Sequence, residues 1–164
     1  MNALWLDGWT VLDRVETRKE TTITAEYAVA PEACPKCGVV GRLYRHGAEV
    51  VEYRDAPAFG KRLVIAAKVK RFRCRECGAT SMQPLPDMHP SRRMTRRCAD
   101  HLIEQCRKRN YAEMSRETGV DESVIRALCN EAYEVSRAKA RAGLAALSGF
   151  AVEVLESVDG VPVQ

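Results

Sequence analysis

Nowhere in the 164 residues is there an apolar run approaching the roughly twenty needed to span a bilayer. The start, Met1-Asn2-Ala3-Leu4-Trp5-Leu6-Asp7, lacks both a basic stretch and an apolar run long enough for an export signal. Without such a signal, the seven cysteines do not read as the disulfide frame of a secreted protein. Aromatic residues are scarce, at 6%, which argues against one large core and for one or two small domains. Paired carboxylates able to hold Mg²⁺ for phosphoryl transfer are missing, since Asp7, Asp13, Asp55, Asp87 and Asp159 are scattered. No Cys/His or Ser/His/Asp pattern suited to nucleophilic catalysis is found either. The expectation is a cytoplasmic protein that is not an enzyme, with no membrane and no small-molecule substrate.

What the chain does have is Cys34-Pro35-Lys36-Cys37-Gly38 and its echo, Cys74-Arg75-Glu76-Cys77-Gly78. Each Cys-x-x-Cys knuckle offers two thiolates from one tight turn, and four thiolates complete a tetrahedral Zn²⁺ shell. The glycine after each second cysteine allows positive φ, so backbone N–H groups can point at sulfur. A thioredoxin-like redox site would need one such pair within a βαβ pattern, and none is visible. Cys34, Cys37, Cys74 and Cys77 are therefore the expected zinc ligands. With no open coordination position, the site is expected to be structural. Cys98, Cys106 and Cys129 fall at helical core spacing and read as small buried hydrophobes. His46, His89 and His101 read as surface or loop residues.

The net charge of +4 is modest but unevenly spread. From Lys61 to Arg75 every charged residue is basic: Lys61, Arg62, Lys68, Lys70, Arg71, Arg73 and Arg75. Further clusters are Arg92, Arg93, Arg96 and Arg97, then Arg107-Lys108-Arg109. Such clustering suits a polyanionic partner, although a solvated basic face would look the same.

Residues 9–15 and 21–29 alternate as β-strands around the polar turn Glu16-Thr17-Arg18-Lys19-Glu20. Residues 42–46 and 50–54 read as two short strands separated by Gly47, and Asp55-Ala56-Pro57-Ala58-Phe59-Gly60 as a turn. A long strand then runs from Arg62 to Arg73 into the second knuckle. The proline-rich 83–90 closes this β region, after which the apolar period changes from two to 3.6. Met94 to Lys108 reads as a first helix, Tyr111 to Thr118 as a second, and Glu122 onward as a third, reaching about Leu147. Gly119-Val120-Asp121 supplies a left-handed turn residue, a buried plug and a helix cap. That is the helix-turn-helix pattern, although an αα-hairpin with no DNA role shares it. Ser123, Arg126 and Asn130 would then face the major groove, Arg126 and Asn130 with donors for guanine and adenine edges. Lys68, Lys70, Arg71, Arg92, Arg93, Arg96, Arg97, Arg107, Lys108 and Arg109 would hold phosphates. The expected division is a zinc-ribbon domain over 1–90, a helix-turn-helix domain over 91–148, and a tail over 149–164 that alternates like an edge strand. The fold class is α+β.

The order of these parts resembles the N-terminal half of bacterial insertion-sequence transposases of the ISL-three type. The features that carry the resemblance are Cys34-x-x-Cys37, Tyr53-Arg54-Asp55-Ala56-Pro57, the strand ending Lys70-Arg71-Phe72-Arg73-Cys74-x-x-Cys77-Gly78, and the helix-turn-helix. They span roughly Ala33 to Ala132. The resemblance implies a zinc ribbon and helix-turn-helix that bind the terminal inverted repeats of a mobile element. In that family a downstream ribonuclease-H-like domain cuts DNA with an Asp-Asp-Glu triad and Mg²⁺. Asp159 stands near the place of the first aspartate, without the other two. The resemblance therefore implies zinc-dependent binding of double-stranded DNA at the bacterial nucleoid, with no cleavage of its own. It leaves room for a homodimer through the last helix or tail. The alternative is a zinc-ribbon protein-interaction adaptor or dimerising regulator.

Overall fold

The computed structural model describes Leu4 and residues 6–158, the stretch 143–158 through its helical backbone alone. Five strands come first: β1 (Trp9–Glu16), β2 (Glu20–Tyr27), β3 (Leu43–Ala58), β4 (Lys61–Cys74) and β5 (Thr80–Met82). Three helices follow, α1 (Arg96–Gln105), α2 (Tyr111–Thr118) and α3 (Glu122–Val158). The fold is α+β, and the strands form one sheet in the order β1-β2-β4-β3, with β5 on β4.

The expected first hairpin is present: β1 pairs antiparallel with β2 from Trp9↔Tyr27 to Glu16↔Thr21. Its turn is closed by Thr17, whose N–H and hydroxyl both donate to the Glu20 carbonyl. The second hairpin departs from expectation in two places. Residues 42–46 and 50–54 are parts of one strand, β3, and Gly47 is only a break in register between Arg45 and Ala48. The long edge of β4 pairs on both sides of that point, so the one extra residue is absorbed as a bulge. The expected turn over 55–60 is likewise strand as far as Ala58, leaving Phe59-Gly60 as the tip.

β2 and β4 run parallel, from Glu20↔Arg62 to Ala25↔Ala67. Their C-terminal ends therefore lie at one end of the sheet, and each leads into a knuckle. The hairpin turns at 17–19 and 59–60 lie at the other end. At about 3.3 Å per residue, the length of β4 separates the two ends by roughly 40 Å.

Period-two alternation sends Ile23, Ala25, Leu63, Ile65, Ala67 and Val69 to one face, where Trp9, Leu4 and Met88 complete a buried core. Segment 83–88 covers it. Gln83, itself buried, donates to the carbonyl of Tyr27 at 3.0 Å and accepts from the Lys70 N–H at 3.3 Å. A second core, formed by the helices, holds Met94, Cys98, Leu102, Met114, Val120, Ile125, Leu128 and Cys129. Thr95 caps α1 by accepting the Cys98 N–H at 3.1 Å, and Asn110 caps α2 by accepting the Glu113 N–H at 2.8 Å. Gly119 ends α2 in the left-handed region at φ 76°. The positive φ favours glycine, and a Cβ there would also lie a tight 3.1 Å from the Arg54 guanidinium.

The last element is longer than expected. α3 is a single helix of 37 residues to Val158, where a helix end near Leu147 and an edge strand from 149 were expected. Residues 150–158 contain no proline or glycine to stop a helix, and a helix satisfies its backbone without a partner strand. The remainder of that expected strand, 159–164, lies outside the described residues. Among the described residues, no helix is long and apolar enough to cross a membrane.

Helices and sheet are joined by polar bonds at the edge of β3. The Arg54 N–H donates to the Arg93 carbonyl and the Thr95 N–H to the Arg54 carbonyl, so residues 93–95 cover that edge. Next to them Asp55, 0% exposed, accepts the Thr95 hydroxyl at 2.6 Å and Arg97 Nε at 2.7 Å. The Arg97 guanidinium also engages the second carboxylate oxygen and donates to the Leu4 carbonyl. Trp9 Nε1 adds a bond to Asp87 at 2.8 Å, and Arg62 Nε one to the Arg116 carbonyl at the C-terminal turn of α2. Asp55→Ala should lower stability by about 3 kcal/mol in urea unfolding, because it strands Thr95 and Arg97 together. Arg97→Ala should cost a similar amount. The double variant should cost clearly less than the sum, and additive losses would show that the two groups do not act as a pair.

Candidate metal centre

Both knuckles have the same local build. The Gly38 N–H donates to the Cys34 carbonyl at 2.9 Å, and the Gly78 N–H to the Cys74 carbonyl at 3.1 Å. The Cys34 N–H bonds the Val39 carbonyl and the Cys74 N–H the Ala79 carbonyl, both at 2.9 Å. The two glycines that close the turns have φ 72° and 68°. Parallel β2 and β4 deliver these turns to the same end of the sheet, where Cys34 meets Cys77 and Cys37 meets Cys74.

Those two sulfur–sulfur distances are 3.7 and 3.8 Å, and all four Sγ atoms lie within 4.8 Å of one another. Zn–S bonds of about 2.3 Å in a tetrahedron require sulfurs about 3.8 Å apart. The donor set therefore fits Zn²⁺ in both chemistry and spacing. Cys34 and Cys74 are buried, while Cys37 and Cys77 are exposed. The N–H groups of Cys37 and Lys36 point at the Cys34 sulfur and draw its thiol down to about 6. At Cys37 the Val39 N–H also favours the thiolate. Desolvation and the thiols of Cys77, Cys34 and Cys74 outweigh it, and Cys37 is pushed up to about 12. A cation shared by the four sulfurs would favour their thiolates together. A zinc held by four protein sulfurs keeps no position for water or substrate, so its chemistry there is structural.

No histidine joins this group. The remaining cysteines lie in the helical region: Cys98 and Cys129 are buried there, and desolvation pushes each up to about 12. Both are poor nucleophiles as a result.

Six of the ten basic residues expected to hold phosphates have partners within the chain. Lys68, Arg93, Arg107 and Lys108 are exposed and enter no ion pair among the described residues. Lys70 is drawn to Glu26 at 3.7 Å, Arg71 to Glu49 at 3.1 Å, and Arg92 to Glu131. Arg109 binds Glu113 at 3.0 Å and also Glu117. Arg96 Nε donates to the Pro86 carbonyl at 2.6 Å, and Arg97 is occupied by Asp55. Strand register brings acids from β2 and β3 against the basic β4, which residue order along one strand does not reveal. Ser123, Arg126 and Asn130 are exposed at i, i+3 and i+7 on α3, opposite the buried Ile125, Leu128 and Cys129. Arg126 also lies over the Tyr111 ring, 5.6 Å from its centroid.

Residues 30–77 match the family described as the zinc-finger of transposase IS204/IS1001/IS1096/IS1165. The match takes in both knuckles and the β3–β4 hairpin, and less than half of the chain. No curated protein and no solved structure matches the chain. Residues 30–77 are thus similar to a transposase zinc ribbon, and their four cysteines form a cluster suited to Zn²⁺.

Neither hydrophobic core draws a residue from 30–41 or from 74–82, so this end depends on the metal for its order. The purified protein should carry one zinc per chain by elemental analysis. Chelation should speed hydrogen exchange across 30–41 and 74–80 while the two cores keep their protection. Uniform loss of protection would mean that zinc holds the whole fold.

Proposed function

We propose that this protein is a zinc-dependent, transposase-derived protein that binds double-stranded DNA at a specific site, such as a transposon terminal inverted repeat, without catalysis of its own. The observation that carries the reading is the common exposed face of Ser123, Arg126 and Asn130 near the start of α3. In this reading α2, the Gly119 turn and α3 act as a helix-turn-helix. The start of α3 enters the major groove, where Arg126 addresses a guanine edge and Asn130 an adenine edge. The unpaired cations Lys68, Arg93, Arg107 and Lys108 take phosphates and set register without reading sequence. The zinc ribbon steadies the far end of the sheet, and its family supports a transposase ancestry. The setting is the bacterial cytoplasm, at the nucleoid.

One feature favours a second reading, a dimerising regulator or adaptor. α3 continues well past Cys129, the last of its described side chains that is buried, and Tyr133 and Val135 are 58% and 56% exposed along it. Two such helices could pair. Sedimentation at several concentrations distinguishes a dimer from a monomer.

Binding to duplexes selected from genomic fragments should fall steeply with salt, as expected when several phosphates are neutralised. Arg126→Ala should relax base preference at one position by about 1–3 kcal/mol, while Lys108→Ala should reduce the salt slope by about one and leave preference intact. Unchanged preference in Arg126→Ala would remove α3 from the groove.

A further inference from the structure

Phe59 has no structural reason to be phenylalanine. It occupies the first position of the two-residue β3–β4 turn, with φ 53°, and Gly60 follows at φ 71°. Turns with positive φ at both positions favour Asn-Gly or Asp-Gly, because a bulky side chain crowds its own backbone there. Burial does not compensate, since Phe59 is 100% exposed. A single apolar side chain on a surface is ordinary. An entire aromatic ring in water, on a strained backbone at the tip of a long hairpin, is not, and such outliers concentrate at functional positions.

The surroundings of the ring indicate what it meets. Arg18 and Lys19, in the adjoining β1–β2 turn, are exposed and enter no ion pair among the described residues. The two turns are tied together: the Arg62 N–H donates to the Lys19 carbonyl at 3.0 Å, and Lys61 Nζ to the Thr17 carbonyl at 3.1 Å. The two acids beside the tip are both engaged, Glu16 by Arg14 and Lys61 and Glu20 by Arg54, so Arg18 and Lys19 leave this end positive. Arg62 also donates to the Arg116 carbonyl in the last turn of α2, which ties this end of the hairpin to the helix that precedes the Gly119 turn. An apolar ring at the centre of unneutralised cations complements a stack of bases between phosphates.

We infer that Phe59 is an aromatic wedge that presses into a base step of duplex DNA, with Arg18 and Lys19 on the flanking phosphates, while the start of α3 lies in the adjacent groove. This inference rests on the DNA-binding reading above and adds to it a distortion of the duplex, with a preference for easily unstacked pyrimidine–purine steps. The strained residue is kept for its contact with DNA, at the expense of hairpin stability.

The test uses the full-length zinc-loaded protein and a duplex of about thirty base pairs containing TA steps, with 2-aminopurine placed at those steps. Anisotropy reports binding and 2-aminopurine emission reports unstacking. Wild type should bind with a rise in emission. Phe59→Asn should melt at a higher temperature, bind about tenfold more weakly and give no rise. Phe59→Trp should preserve the rise. Arg18→Ala with Lys19→Ala should flatten the salt dependence. Binding by wild type with no rise in emission, or an equal rise with Phe59→Asn, would overturn the wedge and leave the DNA-binding reading standing. Absence of binding by wild type would end both. If sedimentation instead shows a wild-type dimer that Phe59→Asn dissolves, the ring belongs to a second copy of the chain and the wedge is overturned.

Discussion

A carboxylate with no access to water must find its partners inside the protein, and Asp55 finds them on the far side of a sheet edge. Thr95 and Arg97 supply the donors, together with the Ala56 N–H at 2.8 Å. Thr95 performs two tasks, since the hydroxyl that donates to Asp55 also caps α1. Through these bonds the start of α1 is set against β3, and the Arg54 edge is closed by residues 93–95. Arg54 reaches back across the sheet to Glu20 at 2.8 Å and lies beneath Gly119. The orientation of the helices relative to the sheet thus depends on the polar bonds along this edge, those of the buried Asp55 among them.

The rest of the molecule divides its stability between two kinds of bond. The sheet and the helices each have an apolar core, and neither core reaches the knuckles. That end has instead four thiols at the spacing that Zn²⁺ requires. A short ribbon with little to bury is poorly held by the hydrophobic effect and well held by metal coordination. The same logic explains why the three cysteines of the helical region stand apart. Cys98 and Cys129 pack as small apolar residues, and burial keeps their thiols protonated.

Charge is distributed differently in space than along the chain. The run from Lys61 to Arg75 contains no acid until Glu76, yet Lys61, Lys70 and Arg71 each meet a glutamate from another strand. Among the described residues the cations in no ion pair include Lys68 and Arg73 on β4, Arg75 in the second knuckle, Arg93 ahead of α1, Arg107 and Lys108 after it, and Arg18 and Lys19 at the first turn. Arg97, which stands among basic neighbours in sequence, is the partner of Asp55 and holds the fold together.

Local rules were enough for several features, because each depends on residues close in sequence. The two Cys-x-x-Cys-Gly turns, the β1–β2 hairpin and the Gly119 turn all follow from glycine, caps and periodicity, whereas α1 ends at Gln105, short of the expected Lys108. Asp55 resembled turn chemistry because Ala-Pro-Ala-Phe-Gly follows it. Only the length of β4 as a pairing template drew 55–58 into a strand and buried the carboxylate. Gly47 was equally misleading, since a glycine interrupts a strand or bulges within it according to what its partner offers. At the other end of the chain, alternating Val and Glu suited strand and helix equally, and a helix needs no partner. Residue types and their spacing therefore determined the zinc ligands, the fold class and the helix boundaries near Gly119. The tertiary structure decided the parallel pairing that unites the knuckles, the acid partner of each arginine and the exposure of Phe59, because each depends on segments that meet only when the sheet closes.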